Sequence, residues 1–495
     1  MMRNTRRRPV LALWLALAVV ASGCSSGDGG PAGLDDALAE LRDSSFSGVV
    51  LVASRGDVTV EGFGNADRAD TIPNGPETVF DIGSLTKQFT GAAILRLEMD
   101  GQLSTDDTLS TYLPNLTPEQ QDITLHELLT HTAGLPDALG SDYEPVARDA
   151  YLQLVVDTPL LQDPGQLYRY SNVGYSLLAA VIEVVTGDSY ESYLQETLFE
   201  PAGMTSTGYV LPDWDDRIVA VGYDGDRPAG RPHELPWADD GPYWHLRGNG
   251  GLLSTADDMY RWHEALLGND ILDDEAKAKY YGRHVTEGPG AQTYYGYGWA
   301  LFPTPSDTWL VTHNGGNGIF FADFLRFLDE DLTIFVATNS ASTADEDVAF
   351  RIADAVLGHG LVSPEEDDAC ALSDVDLDLL ATLTAIDELP ATAAGATAAE
   401  LFALLGGSDD AARRDYVTHH VADELRGELT IDELAEALRQ VQVELDGLPA
   451  EALYQEDDLS FHVVMGAPAT GLGAIVSIRL DETDPTKVRC VGVAA

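Results

Sequence analysis

A serine and a lysine that could act together lie three residues apart, as Ser84 and Lys87, in the segment Asp-Ile-Gly-Ser-Leu-Thr-Lys. The segment leads into a run with helical spacing of apolar residues, and residues three apart on a helix share one face. A serine hydroxyl is a weak nucleophile that needs a base beside it, and a partly buried lysine loses its proton more readily than a free one. The spacing therefore predicts that Ser84 is a nucleophile activated by Lys87.

The triplet Tyr-Ser-Asn at 170–172 is a second candidate for chemistry, because it precedes a long apolar segment with helical spacing. A phenol deprotonated by nearby cations could serve Ser84 as a general base, which gives Tyr170 a catalytic role. Asn172 carries both a donor and an acceptor, so it could hold Lys87 and a substrate amide. The alternative is a surface tyrosine followed by an asparagine that caps a helix.

The third candidate is His313-Asn-Gly315-Gly316, which closes a run rich in strand-forming residues. Glycine lets a substrate backbone approach closely, and a free backbone N–H at such a place can bind an oxyanion. The chain holds eleven histidines and 47 glycines, so one H-x-G triplet is expected by chance alone. This motif is therefore informative about function only in combination with the other two.

In this order, the three motifs resemble those of the serine β-lactamase and penicillin-binding protein family, which are S-x-x-K, Y-x-N or S-x-N, and K/H-x-G. Within that family the chain resembles a class C β-lactamase-like serine hydrolase, and its motifs are most similar to those of the D-peptidase and esterase relatives. The resemblance covers about residues 34–361 and includes further family-like segments at 123–135, 201–204 and 250–256. It implies a set of roles that act on one acyl group: acylation of Ser84, acid and base work by Lys87 and Tyr170, substrate binding by Asn172, His313 and Gly315, and an oxyanion hole from the N–H groups of Ser84 and Gly316.

His313 stands where many β-lactamases of this family carry lysine, and no lysine of this chain is followed two residues later by glycine. The resemblance therefore favours D-peptidase or carboxylesterase activity on a small peptide, ester or amide, with penicillin hydrolysis third and without a cofactor. One alternative is a non-catalytic protein of the same fold that senses cell-wall peptides or β-lactams. Another places the function in the C-terminal domain, as a docking module for a partner.

The elements that must position these residues follow from the pattern of apolar residues. Strand-like runs at 48–53, 57–63, 308–312, 319–328 and 332–338 predict an antiparallel five-stranded sheet, and the segments between them predict an inserted helical lobe. We expect an α/β (α+β) fold of the β-lactamase and transpeptidase type with a small C-terminal α+β domain. The predicted divisions are a signal peptide at 1–24, a tether at 25–33, the hydrolase domain at 34–361, a linker at 362–395 and the accessory domain at 396–495.

The first 24 residues have the build of an export signal: four arginines, an apolar run and small residues before Cys24. This pattern resembles a bacterial lipobox, which predicts lipidation of Cys24 and an exported protein held at the cell surface. An ordinary cleaved signal and an uncleaved anchor remain open. So does the state of Cys370 and Cys490, which could pair in an oxidising compartment or stay separate.

The formal net charge is −54 at pH 7, which excludes nucleic acid and anionic lipid surfaces as partners of the whole molecule. Contact with a membrane is expected only through the N-terminal lipid. The excess of acidic residues over four lysines is typical of proteins that work in high salt, and equally of a lysine-poor genome. The histidines lack the spacing of a zinc site, so no metal is expected, and the oligomeric state stays open.

Overall fold

The computed structural model describes residues 31–288, 291–341, 346–358, 385–386, 389–390, 392–405, 410–421, 431, 435, 438–439, 450–455, 460–465, 474–480 and 486–494. The chain divides into a larger unit, Ser25–Glu287 with Gln292–Leu361, and a smaller unit that contains Val362–Ala495. The predicted signal peptide with Cys24, and the pairing of Cys370 with Cys490, lie outside the described residues.

An antiparallel sheet of eight strands forms the framework of the larger unit. The strands of this unit are, in chain order, β1 (Gly48–Ser54), β2 (Asp57–Phe63), β3 (Asn65–Asp67), β4 (Ile72–Pro73), β5 (Phe80–Asp81), β6 (Gly222–Asp224), β7 (Arg227–Gly230), β8 (Leu253–Ser254), β9 (Val285–Thr286), β10 (Tyr294–Tyr295), β11 (Ala300–Pro303), β12 (Trp309–Gly316), β13 (Phe321–Phe327) and β14 (Leu332–Thr338). The order in the large sheet is β2-β1-β14-β13-β12-β11-β10-β9, and β3 with β4, β5 with β8, and β6 with β7 make separate pairs.

The predicted five-stranded sheet is wrong in its strand number. The five strands expected from the sequence are β1, β2, β12, β13 and β14, each of seven or eight residues, and they form one side of the sheet. The other three are β11, with four residues, and β9 and β10, with two residues each. Such short strands cannot display an alternating pattern, because their identity comes from pairing with a neighbour and not from their own sequence.

Helices cover the sheet and form the lobe inserted between β5 and β8. They are α1 (Pro31–Asp43), α2 (Thr86–Met99), α3 (Pro118–Gln121), α4 (Leu125–Leu129), α5 (Arg148–Asp157), α6 (Asn172–Thr186), α7 (Tyr190–Leu194), α8 (Glu200–Ala202), α9 (Ala256–Leu267), α10 (Asp274–Tyr280) and α11 (Val348–Leu357), with a π-helical turn at Gln195–Phe199 and 3-10 turns at Gly83–Leu85, Leu109–Thr111 and Pro232–Glu234. Within the described chain, every helix is too short or too polar to cross a bilayer.

Both faces of the sheet are covered, and β1 shows this residue by residue. Val49 and Leu51 belong to the large core that contains α2 and α6, whereas Val50 and Val52 belong to a second core with α1 and α11. Successive residues of a strand point to opposite faces, so an apolar layer is needed on each side. This double burial explains why these strands read as nearly continuous apolar runs.

The smaller unit has the α+β character expected of the C-terminal region. Its described elements are α12 (Ala393–Leu405), α13 (Asp410–His420), β15 (Ala385–Ile386), β16 (Ala450–Gln455), β17 (Ser460–Met465), β18 (Ala474–Leu480) and β19 (Val488–Ala494). The strands form an antiparallel sheet in sequential order, and Leu401, Val417, Phe461 and Ile478 share its core.

The short helix α4 depends on a capping box, and this gives a test of its stability. The Thr124 hydroxyl accepts from the Glu127 N–H at 3.1 Å, and the Glu127 carboxylate accepts from the Thr124 N–H at 2.8 Å. We expect Thr124→Ala to lower the free energy of unfolding by about 1 kcal/mol, measured by urea denaturation, because an N–H group loses its acceptor. Thr124→Ser keeps the hydroxyl and serves as the control. Equal stability of the alanine and serine variants would contradict this role.

Candidate active site

Ser84 lies in the 3-10 turn Gly83–Leu85, which leads directly into α2. Gly83 has a φ of +51°, a left-handed conformation that favours glycine. The Thr86 hydroxyl donates to the Gly83 carbonyl at 2.7 Å and accepts from the Leu252 N–H at 3.2 Å. The turn is therefore fixed from inside the core, while Ser84 itself keeps part of its surface exposed at the start of a helix.

Lys87 is fully buried in the first turn of α2, with its Nζ directed at three oxygen atoms. The distances are 2.9 Å to Ser84 Oγ, 2.7 Å to Asn172 Oδ1 and 2.8 Å to the backbone oxygen of Asn249. A neutral amine has two N–H groups and one lone pair, so it can donate to the two asparagine oxygens and accept from the Ser84 hydroxyl. The arrangement therefore suits a lysine that takes a proton from serine.

Burial lowers the pKa of Lys87 from 10.5 to about 7, because the ammonium loses its hydration. The carboxylates of Asp137 and Asp142 oppose this shift and keep the pKa from falling further. A substantial fraction of the amine is therefore neutral at physiological pH. Lys87 is poised as an acid and base close to neutrality.

Asn172 is the first residue of α6, and Asp137 fixes its orientation. The Asn172 Nδ2 donates to Asp137 Oδ1 at 2.9 Å, and the backbone N–H of Asn172 donates to the Asp137 carbonyl at 2.9 Å. Since the amide nitrogen faces a carboxylate, the amide oxygen must face Lys87. The helix cap is Ser171, whose hydroxyl accepts from the Gly174 N–H at 3.2 Å, so Asn172 is free of that alternative role.

Tyr170 lies beside the amine, with its ring centroid 4.7 Å from Lys87 Nζ and its side chain hydrogen-bonded to Ser84. Burial raises the pKa of Tyr170 well above its usual value of 10, and the hydrogen bond to Ser84 only partly opposes this effect. The site therefore holds a neutral phenol and not the deprotonated one expected from the sequence, since loss of hydration outweighs the hydrogen bond to Ser84.

His131 supports the turn that carries Tyr170. Its Nδ1 accepts from the Ser171 N–H at 3.0 Å, and its ring centroid lies 4.4 Å from that of Tyr170. The residue is buried and has a φ of +59°. Burial and the charge of Lys87 hold the pKa of His131 well below its usual value, so the ring stays neutral and acts as an acceptor. His131 is therefore a positioning residue for the tyrosine.

His313 occupies β12 close to the same tyrosine, with 6.4 Å between the two ring centroids. Its Nδ1 lies 2.5 Å from the Asn314 carbonyl oxygen and its Nε2 lies 3.0 Å from the Tyr295 hydroxyl. Burial, with a contribution from Lys87, lowers the pKa of His313 to about 3, so the ring is neutral. Both nitrogens have protein partners, and direct binding of a substrate by His313 stays a prediction.

The end of β12 touches the 3-10 turn Gly83–Leu85, which carries Ser84, the predicted nucleophile. A methyl group built on Gly315 would lie 2.3 Å from the Ser84 backbone nitrogen, and one built on Gly83 would lie 2.6 Å from the Gly316 backbone nitrogen. Only glycine allows the two backbones to come so close. The contact brings the N–H groups of Ser84 and Gly316 near each other, as an oxyanion hole requires.

The structure thus brings together all the residues singled out in the three motifs, from stretches more than two hundred residues apart. Sequence reasoning missed Asn249 and Asp137, the partners that complete the surroundings of Lys87 and Asn172. Asn249 contributes a backbone oxygen, which leaves no mark on residue type, although the glycine-rich segment Gly-Asn-Gly-Gly around it was an available signal. Among the described residues, no group of three or more His, Cys, Asp or Glu could hold a metal ion.

Comparison with known proteins agrees with this geometry. The profile of the Beta-lactamase family matches residues 34–357, well over half of the chain. The chain is 34% identical over 264 residues to the putative penicillin-binding protein PbpX of Bacillus subtilis, which covers 53% of this chain and 64% of PbpX. It is 30% identical over 330 residues to penicillin-binding protein 4* of the same species, which covers 63% of this chain and 72% of that protein.

Among solved structures, the fold is similar to the penicillin binding protein from Bacillus halodurans, with a TM-score of 0.55 and 27% sequence identity. The superposition covers 66% of this chain and 98% of that protein. The chain spans less than two thirds of PbpX. The family match falls within residues 34–361, the predicted hydrolase domain, and the resemblance read from the three motifs is confirmed.

The contact between β12 and the turn Gly83–Leu85 predicts that any side chain at position 315 lowers both activity and stability. We expect Gly315→Ala to abolish covalent labelling of Ser84 by a fluorescent phosphonate and to lower stability by about 1–3 kcal/mol, because the new methyl group would overlap the Ser84 nitrogen. Gly75→Ala is the control, since Gly75, like Gly315, has no positive φ but has open space around it. Retained labelling in Gly315→Ala would contradict the contact.

Proposed function

We propose that this chain, which belongs to the Beta-lactamase family, is a serine hydrolase. It cleaves small peptides, esters or amides through an acyl-enzyme on Ser84. The observation that carries the proposal is the buried Lys87 amine, which contacts Ser84 Oγ, Asn172 Oδ1 and the Asn249 carbonyl together. Such an amine both activates the serine and, once protonated, finds three acceptors.

In the acylation step, neutral Lys87 accepts the proton of the Ser84 hydroxyl while Oγ attacks the carbonyl carbon of the substrate. The carbonyl oxygen takes the negative charge, and the backbone N–H groups of Ser84 and Gly316 donate to it. The ammonium formed on Lys87 is stabilised by Asn172, whose orientation Asp137 holds. The products of this step are a tetrahedral intermediate and a protonated lysine.

Collapse of the intermediate breaks the bond to the leaving group, which needs a proton. Tyr170 is a neutral phenol next to both Ser84 and Lys87, so it donates its proton to the leaving group and regains one from the Lys87 ammonium. Water then attacks the acyl-enzyme ester with Lys87 again as the base. The acid is released, and the Ser84 hydroxyl is restored.

The substrate class follows from the group at position 313. A neutral, buried histidine gives the site no fixed cation there, in contrast to a lysine in the same motif, and this favours D-peptidase or carboxylesterase chemistry over dedicated β-lactam hydrolysis. The Bacillus subtilis relatives are named for penicillin binding, which supports a site that β-lactams can acylate. We place slow β-lactam turnover third among the activities.

We further propose that the protein is exported and held at the cell surface by a lipid on Cys24. The arginine-rich start, the apolar run and the small residues before Cys24 support this location. The expected partner is a small substrate, and the net charge argues against nucleic acid. Mass spectrometry of the mature N-terminus tests the anchor, and an unmodified first residue other than Cys24 would contradict it.

The decisive test of the function is covalent labelling. We expect the purified protein to react with a fluorescent phosphonate and with a fluorescent penicillin, and Ser84→Ala to lose all labelling, because the attacking oxygen is gone. Turnover is measured with short-chain p-nitrophenyl esters, D-Ala-D-Ala peptides and nitrocefin.

The folded state of Ser84→Ala is checked by circular dichroism, and Ser104→Ala, a surface serine variant, is the matched control. Labelling that persists in Ser84→Ala would overturn the proposed nucleophile. Labelling of the wild type without turnover of any substrate would favour the alternative of a non-catalytic sensor with the same fold.

The pKa of Lys87 predicts the pH dependence of acylation. Because the pKa is lowered to about 7, the fraction of neutral amine grows as the pH rises through 7, and the rate should grow with it. We expect the rate of phosphonate labelling to rise about tenfold per pH unit well below the midpoint and to level off above it. Stopped-flow or gel-based labelling over this range provides the measurement.

Lys87→Arg is the informative variant, since guanidinium keeps the positive charge but does not lose its proton. It should acylate at least about 10²-fold more slowly, without the rise near pH 7. Lys277→Arg, on α10, should keep the wild-type profile. A wild-type rate that does not change between acid and neutral pH would argue against Lys87 as the base.

A further inference from the structure

We propose that Asp81 and Asn317 form a clamp that holds the two halves of the oxyanion hole in register, and that they are positioning residues for acyl transfer. The inference rests on the proposed function. It concerns two side chains that lie behind the reacting groups and belong to none of the three motif triplets. The clamp links the nucleophile turn to the turn that joins β12 and β13.

The first half of the clamp is the carboxylate of Asp81, which is buried at the end of β5. Its Oδ1 accepts from the Gly83 N–H at 2.8 Å, and its Oδ2 accepts from the Asn317 Nδ2 at 2.9 Å. One oxygen therefore holds the turn immediately before Ser84, and the other reaches the residue immediately after Gly316. A single carboxylate connects the two chain segments whose N–H groups face the oxyanion.

The second half is Asn317, which organises the turn after β12. Its Oδ1 accepts from the N–H groups of Ile319 and Phe320 at 3.0 and 2.9 Å, and its own N–H donates to the Phe320 carbonyl at 3.1 Å. These bonds fix which end of the Asn317 amide is oxygen, because backbone donors face it. The NH2 group must then face Asp81, so the clamp has a single arrangement of donors and acceptors.

The chemistry of this pair explains why a carboxylate stands at position 81. Both of its neighbours are donors, and an ionised carboxylate is an acceptor at each oxygen, whereas an amide is a donor at one end. Burial raises the pKa of Asp81 to about 6, so the group is ionised at neutral pH despite its surroundings. The bonds it accepts then have the strength of charge-assisted hydrogen bonds.

Small displacements of an oxyanion hole have large effects on rate. A misplacement of about 1 Å at a reacting group can cost about 10²-fold, and loss of one oxyanion donor costs about 10²–10³-fold. The nucleophile turn and the end of β12 come from distant parts of the sequence and meet through bare glycine backbone. The clamp supplies side-chain hydrogen bonds that hold this contact.

Exchanging the two side chains provides a matched test. Asp81→Asn alone turns an NH2 group toward the NH2 of Asn317, and Asn317→Asp alone sets two carboxylates face to face. The exchanged variant, Asp81→Asn with Asn317→Asp, restores the hydrogen bonds of the clamp: the amide at 81 accepts from Gly83 and donates to the carboxylate at 317, which still accepts from Ile319 and Phe320. Asn317→Ala removes the connection without introducing a repulsion.

The readout is phosphonate labelling resolved into the noncovalent dissociation constant and the rate constant of acylation. We expect each single variant, including Asn317→Ala, to slow acylation about 10²-fold with little change in the dissociation constant, and the exchange to recover to within about tenfold of the wild type. Melting temperatures are recorded for all variants. Asp67→Asn is the control for loss of a buried carboxylate that accepts backbone N–H groups away from the site.

The outcomes separate the clamp from the function on which it rests. If the wild type is acylated but the exchange is as slow as the single variants, or if all variants acylate at the wild-type rate, the clamp is overturned while the proposed function stands. If the wild type is not acylated at all, the proposed function falls and the clamp falls with it. If Asp81→Asn and Asn317→Asp fail to fold, Asn317→Ala alone decides the test. A wild-type rate of acylation in Asn317→Ala then overturns the clamp.

Discussion

The removal of one amine from water is the constraint on which the rest of the structure depends. Lys87 is enclosed by the core, and this enclosure lowers its pKa to about 7. A buried ammonium without partners would be too costly to keep, so oxygen acceptors must surround it. The side-chain oxygen of Asn172 and the backbone oxygen of Asn249 meet that need, and Ser84 completes the set.

Each surrounding element can be understood as a support for that amine. The α6 helix begins at Asn172, whose side-chain oxygen contacts Lys87, and Asp137 fixes the direction of the amide. His131 accepts the hydrogen bond that shapes the tyrosine turn. The large sheet carries β12 to the nucleophile turn, where paired glycines allow contact of backbone with backbone. The polar centre is therefore backed by an extensive apolar core, with Ser84 at its exposed edge.

The sequence was enough to single out the side chains that the structure brings together, and the long elements that carry them. Ser84 and Lys87 share a helix face, so their contact is local and follows from spacing alone. The five long strands were visible as apolar runs, but the two-residue strands β9 and β10 were not, since pairing alone defines them. The state of Tyr170 was also beyond reach, because the effect of burial on its pKa depends on the finished packing. Asp81 was visible in the motif, yet its partner Asn317 lies 236 residues away, and no local pattern joins them.

The pairing of β1 with β14 has a consequence for the order of events during synthesis. The register joins Gly48 to Thr338, so an interior strand near the amino end finds its neighbour only after nearly the whole unit has been made. Until then, one edge of β1 lacks its partner, and α11, which covers one of its apolar faces, has not yet been made. Nascent chains of this protein must therefore wait for a late strand before the sheet can close, which leaves a long interval in which a holding chaperone can protect them.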